Sequence, residues 1–327
     1  MSTVYFVVQQ SFFFSIPLLI VALGGMFSER SGIVNIALEG KMLLGAFTGI
    51  FFINRVQNGY IPFLYGFDGH MLLLVALVIA ALTGVVVALF HAYASITLNA
   101  SQIISGVAIN MFAPAFSIYV ARILTETQQI NFNNTFRVPY VPLLGNIPVI
   151  GPLFFQNTFV TTYLGFMILG ISAFVLYKTK FGLRLRACGE HPQAADSVGV
   201  NVSKIRYAGV LISGALAGMG GVIFMVPNSV AFSASVSGYG FLALAVVIFG
   251  AWRPGRILFA AVFFGILQAF AAGFSGIAFL RDLPIPMQFY QMAPYVVTLV
   301  VLGITSNKTT KNAAPRAAGQ PYDKGNR

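Results

Sequence analysis

Residues 71–92 read MLLLVALVIAALTGVVVALFHA, an unbroken run without a single Asp, Glu, Lys or Arg. A bilayer core of about 30 Å is crossed by about 20 helical residues, so this stretch is long enough and apolar enough to span it. Outward from it, runs of the same kind lie near 12–28, 33–54, 101–122, 158–177, 206–226, 240–252, 257–276 and 287–305. The run at 240–252 is short for a full span, which predicts either a tilted helix or one paired with a re-entrant piece from 227–239. Irregular backbone at that depth is tolerated only where protein or a water-filled cavity covers it. With 57% hydrophobic and 8% charged residues, 32 Phe, 13 Tyr and a mean hydropathy of +0.84, the chain lacks the charge to build a water-facing surface. The expected fold is an all-α polytopic membrane protein with about nine transmembrane helices.

Charge gives the expected orientation. With the N-terminus outside, fourteen Lys and Arg fall on the inner side, among them Arg30, Lys178, Arg186, Arg253 and Lys308, against Arg55, Arg122, Arg137 and Arg281 outside. Excess positive charge marks cytoplasmic loops, which predicts N-out and C-in. The net charge of +11 is accounted for by these loops beside spans, so nucleic acid is not an expected partner. The first eleven residues hold no Lys or Arg and no small-residue cleavage site follows, so the first span is expected to remain. The expected organisation is one transmembrane domain over 1–306, with an external loop at 123–157, an inner loop at 178–206 and a disordered basic tail at 307–327. The single cysteine, Cys188, excludes an internal disulfide.

The inner loop departs most from a minimal connection. Phe181 to Arg206 reads FGLRLRACGEHPQAADSVGVNVSKIR. His191 or Glu190 suits a helix cap, Pro192 a first turn and Gly199 a helix end, so a short helix at the membrane surface is predicted. From these residues alone an ordinary basic stop-transfer loop competes equally.

The stretch Gln193 to Gly199, QAADSVG, resembles the EAA loop of bacterial ABC importer permeases, with Gln193 where that motif has Glu. The small-residue run SGALAGMGG at 213–221 is similar to the span that follows this loop in the branched-chain amino acid and simple-sugar permease superfamily. Within it, SERSGIVNIALEGKMLLGAF at 28–47, GYGFLALAVVIFGAWRPGRI at 238–257 and FYQMAPYVVTLVVLG at 289–303 look closest to nucleoside permeases. The likeness runs from Val21 to Gly303.

This resemblance implies the ABC importer permease fold in the bacterial inner membrane and a coupling helix formed by Pro192, Gln193, Ala194, Ala195 and Gly199. Its implied partners are a cytoplasmic ABC ATPase, a second homologous permease in a heterodimer, an extracytoplasmic substrate-binding lipoprotein and membrane lipid. No G-x-x-x-x-G-K-[ST] loop occurs in the chain, so no cofactor is expected on it, and ATP with Mg would be hydrolysed by the partner subunit. Gln193 in place of Glu removes a charge from the coupling helix.

Two features are open to structural or functional use. Gly45/Gly49 and Gly214/Gly218 form G-x-x-x-G pairs, expected to serve internal packing ahead of a face for a second permease. Glu39 and Lys41 lie in the second span, where isolated charges are costly. They are an ion-coupling candidate on physics alone, but the resemblance places them at a broken helix start where Lys41 can snorkel, and a structural role is favoured.

For substrate, uncharged amides with aromatic neighbours suit a flat base and sugar hydroxyls: Asn99, Gln102, Asn110, Asn228, Gln268 and Gln291, with Phe112, Phe232 and Phe274. Any one amide is more often a helix-to-helix hydrogen bond than a ligand contact. The expected function is ATP-driven nucleoside import. The competing readings are a permease for a ribose-like sugar or a branched-chain amino acid, and an ion-coupled secondary transporter for which Glu39 is the only intramembrane carboxylate. An intramembrane enzyme is not expected, since His70, His91 and His191 fall at span ends or in a loop with no metal-ligand spacing between them.

Overall fold

The computed structural model describes residues 2–64, 66–142, 144–148, 151–273, 286–306 and 314–322. Eleven α-helices are described: α1 Ser2–Arg30, α2 Leu38–Gln57, α3 Gly69–Ala92, α4 Gln102–Thr125, α5 Val160–Lys178, α6 Lys180–Glu190, α7 Pro192–Ser197, α8 Val202–Asn228, α9 Tyr239–Phe249, α10 Pro254–Gly273 and α11 Met287–Ser306. Among the described residues, six helices (α1, α3, α4, α5, α8 and α10) are long and apolar enough to cross a membrane. Helix α2 has 20 residues but carries Glu39, Lys41 and Arg55, and α11 also has 20. The short run near 240–252 is α9, whose 11 residues rise about 16 Å, roughly half a bilayer core.

Helices α8 and α1 form the centre. In α8, 78% of the most apolar stretch is buried, against 17% in α4 at the periphery. Helix α8 packs on α1, α2 and α3, and its glycines are what let it approach. A Cβ on Gly218 would overlap the Ala80 carbonyl, one on Gly214 the Gly84 carbonyl, and one on Gly221 the Met42 carbonyl. Gly45 of α2 lies against Gly218, and Gly49 against Val222. Both G-x-x-x-G pairs therefore serve packing inside the chain, where backbones meet without side chains between them.

At one end of the bundle, the connection between α4 and α5 forms one small antiparallel sheet and shares a second with the stretch after α8. Strand β1 (Ile130–Asn131) pairs with β4 (Ala231–Phe232), with Ile130 opposite Phe232, and β2 (Arg137–Tyr140) pairs with β3 (Gln156–Phe159), with Arg137 opposite Phe159. Asn134 Nδ2 donates to the Val226 carbonyl, tying this cap to the end of α8. The opposite end carries α6 and α7.

Of the basic tail expected at 307–327, residues 314–322 lie among the described residues and are seated on the bundle. Pro315 and Ala317 are buried, and the Ala317 N–H donates to the Gly189 carbonyl at 2.9 Å. A polar, sparsely hydrophobic composition signals little burial, but backbone amides can pair whatever their side chains are.

Candidate coupling surface and permeation residues

Helix α6 begins where Thr179 caps it, the Thr179 hydroxyl accepting from the Gly182 N–H at 3.1 Å. His191 occupies the N-cap position of α7 without a side-chain hydrogen bond, and Pro192 supplies the first helical residue. Glu190 does not cap α7; it pairs with Arg30 at 3.8 Å. Gly199 follows the helix with φ +83°, the left-handed conformation that releases glycine from the penalty other residues meet. The next helix is capped by Asn201, which accepts from the Lys204 N–H at 3.0 Å.

Pro192 and Ala195 face inward, whereas Gln193, Ala194 and Gly199 are exposed. Ala195 packs with Cys188 and Val202, and Tyr322 of the seated tail closes the same cluster. Burial pushes the Cys188 thiol up to about 11. Val198, 77% exposed, projects beyond the helix beside a cavity of about 430 Å³ bounded by Asp196, Gly199, Asn201 and Tyr322.

Between α1 and α2 the chain leaves helical geometry over residues 31–37. Its polar groups find partners on neighbouring helices, as a buried break requires. Gln102 Oε1 accepts from the Val34 N–H at 2.8 Å; Asn110 Nδ2 donates to the Ile36 carbonyl at 2.9 Å, and its Oδ1 accepts from the Gly40 N–H at 2.8 Å. Lys41 Nζ donates to Asn35 Oδ1 at 2.7 Å, and Asn35 Nδ2 donates to Ser213 Oγ at 2.7 Å. Lys41 is fully buried, so it does not snorkel; a nearby side-chain acceptor spares it that reach.

Both ends of α9 rest on this same region. Glu39 accepts from the N–H groups of Gly238, at 3.0 Å, and Gly240, at 2.6 Å, where the start of α9 has amides without intrahelical partners. At the other end, the Trp252 indole N–H donates to Glu29 and the Trp252 carbonyl accepts from Arg30 Nε at 3.2 Å. The motif SERSGIVNIALEGK thus supplies the polar partners of a half-length helix some 200 positions later. The sequence reading missed Glu29, Arg30 and Trp252, although a Glu-Arg pair at the end of one span and the chain's single Trp at the end of another were visible signals.

The residues expected to line a substrate path are brought together only in part. Gln102 and Asn110 meet at the break, with polar atoms engaged by its backbone. Phe112 stacks on Phe116 at 5.2 Å, Phe116 meets Phe47 at 6.5 Å, and Phe47 meets buried Phe232 at 5.9 Å. These four rings form a continuous series of aromatic contacts, exposed at Phe112 and Phe116 and buried at Phe47 and Phe232. Asn228 turns back on its own helix, donating to the Phe224 carbonyl at 2.8 Å. Asn99 is exposed at a left-handed turn with φ +51°, and Gln268 hydrogen-bonds Tyr295. Phe274 and the Gln291 side chain lie outside the described residues. Near the β-strand end a cavity of about 610 Å³ is bounded by polar side chains including Asn54, Arg55, Gln57 and Gln129. The Arg55 guanidinium there lies 4.9 Å from the Phe51 ring and 4.5 Å from the Tyr60 ring.

Comparison with known proteins fits this architecture. The family described as branched-chain amino acid transport system / permease component matches residues 7–304. The nucleoside ABC transporter permease protein NupC of Lactococcus lactis subsp. cremoris is 40% identical over 99% of this chain and 98% of its own. The guanosine ABC transporter permease protein NupQ of Bacillus subtilis is 41% identical over 98% of this chain and 97% of its own. The putative glucose ABC transporter permease protein TsgC13 of Haloferax volcanii is 30% identical over 94% of both. No solved structure matches the chain. With the family matched over nearly its whole length, the chain belongs to the branched-chain amino acid transport system permease family, as a multi-pass, helical membrane permease.

Proposed function

We propose that this chain is the permease subunit of an ATP-driven importer that carries nucleosides across the bacterial plasma membrane. The observation that carries the reading is identity of 40% and 41%, spread over nearly the full length, with two permeases named for nucleoside and guanosine transport. The exposed rings of Phe112 and Phe116 add support, because a flat base stacks on rings. Helix α7 is the coupling helix, entering a cleft on a separate cytoplasmic ATPase with Gln193, Ala194 and Gly199 outward. The α6–α7 end is cytoplasmic, the N-terminus and the β-sheet cap are outside, and the chain crosses nine times, counting α2, α11 and α9 together with the non-helical stretch 229–238 that leads into it; the fourteen inner cations support this orientation. A second, different permease completes the pathway, and a binding lipoprotein delivers substrate to the sheet cap. This chain is a transport component, with ATP and Mg turned over on the partner.

A sugar is the second reading, favoured by the 30% identity to a putative glucose permease. Uptake of labelled guanosine, uridine, ribose and leucine by cells lacking the chain, and by the same cells with it restored, decides between them. Nucleoside uptake that is restored by the chain, abolished by ATP depletion and insensitive to a protonophore is the expected outcome. Restored ribose or leucine uptake alone would change the cargo, and dependence on the proton gradient alone would overturn the importer reading.

A further inference from the structure

The seated tail segment touches three elements that are far apart in sequence. Besides the Ala317 bond to Gly189 at the end of α6, the Gly319 N–H donates to the Gly32 carbonyl in the α1–α2 break at 3.1 Å. The Gln320 carbonyl accepts from Arg206 Nη1 of α8 at 3.1 Å. The Tyr322 ring lies 5.9 Å from the Arg206 guanidinium and joins the Cys188–Ala195–Val202 cluster that seats α7. Arg206 is 1% exposed, and Gly32, with φ +97°, leaves the room in which its guanidinium lies: a Cβ there would stand 2.9 Å from Nη2. A buried cation is costly unless its N–H groups are met. Here the segment supplies a carbonyl and a ring face, while Nε and Nη2 find no hydrogen-bond partner among the described residues.

The helix ends that flank this break carry Glu29, Arg30 and Glu39, which hold both ends of α9. An unbroken series of contacts therefore runs from α7, through the tail segment and Arg206, to Gly32 and on to α9. We propose that residues 314–322 and Arg206 are positioning elements that fix α6–α7 to the α1–α2 break, so that displacement of the coupling helix moves α9 rather than being lost in a loose loop. This inference rests on α7 being the coupling helix of an ATP-driven importer. Cα-level proximity alone would not establish such a path; the physical warrant is a set of bonds whose loss changes coupling.

The experiment uses the full transporter, reconstituted in vesicles with its ATPase and binding protein. Truncation before Ala314 is expected to lower nucleoside uptake about tenfold and to raise ATP hydrolysed per molecule transported by a similar factor, with the amount of chain and bound ATPase unchanged. Gly319→Val, which places a β-branched residue at φ +80° without deleting anything, is expected to do the same more weakly. Arg206→Lys is expected to keep more coupling than Arg206→Ala, since it preserves one donor to Gln320. An unchanged ratio of ATP to substrate in the truncated protein would overturn the proposal. So would loss of the ATPase or of the chain itself in both the truncation and Gly319→Val, which would make the segment a docking or folding element instead. ATP-independent transport by the intact chain would fell the importer reading and this proposal together, and it is seen before any variant is made.

Discussion

Helices α8 and α9 both sit deep in the bundle and both pack closely, Gly240 of α9 lying against the Glu39 backbone, yet the balance between shape and polar anchoring differs. Helix α8 is held by shape, with Gly214, Gly218 and Gly221 pressed against backbone of α3 and α2, so that no side chain intervenes. Helix α9 is held by polar groups at its two ends, Glu39 at the start and the Glu29–Trp252–Arg30 group at the finish. Close-packed surfaces lose their dispersion contacts steeply with small displacement, whereas a hydrogen-bonded joint can pivot about its bonds. On the coupling path proposed above, α8 is the frame and α9 the element moved by its anchors.

The comparison is most easily broken at the seam. Gly218→Leu is expected to remove folded chain from the membrane by more than about tenfold, because overpacking against backbone has no outlet. Gly255→Leu, with nothing within 4 Å of its Cβ, is the control expected to accumulate normally. Quantifying full-length chain in membrane fractions checks both, and a well-folded Gly218→Leu would mean that the seam is not rigid. Gly199→Asp comes next. It strains a residue at φ +83° and adds charge to the outward face of α7, so uptake should be abolished while membrane insertion stays intact. Normal uptake by this variant would argue against α7 as the element that drives α9.

Glu39→Ala tests the joint directly. It strands the N–H groups of Gly238 and Gly240, and each buried donor left unpaired costs roughly 1–3 kcal/mol. Thermal unfolding of the purified transporter should show a lower midpoint, with Glu39→Gln, which keeps an acceptor, lying between. A smaller effect is expected from Lys41→Met. The substitution leaves Asn35 Oδ1 without its donor but also removes a desolvated charge, and the two effects oppose each other, so uptake should stay within about twofold. Loss of uptake by a well-folded Lys41→Met would revive ion coupling. The smallest effect concerns Cys188. With its thiol raised to about 11, only about one in a thousand is ionised at pH 8, so maleimide should label the native protein negligibly and the denatured protein fully.

The membrane class, the helix ends near 160–178 and the turn residues Pro192 and Gly199 were legible in the sequence because hydropathy, proline and glycine act locally. The break at 31–37 was read into a span expected at 33–54, since Ile33, Val34, Ile36 and Ala37 are apolar and only their backbone bonds to Gln102 and Asn110 show that they are not helical. Among the path candidates, Phe112 and Phe232 belong to one series of ring contacts and the Asn228 amide returns to the Phe224 carbonyl, placements that no local feature of the sequence shows.

By itself the sequence determined that this protein lives in a bilayer, which end of it is basic, and that a short helix follows Pro192. Each of those is a sum over neighbouring residues. Only the tertiary structure decided that Gly45 meets Gly218, that Glu39 anchors a helix beginning two hundred residues later, and that a polar tail is seated under Arg206. Such pairings depend on which helices cross. A glycine, a carboxylate or a backbone amide accepts many partners and so carries no local mark of the one it will find.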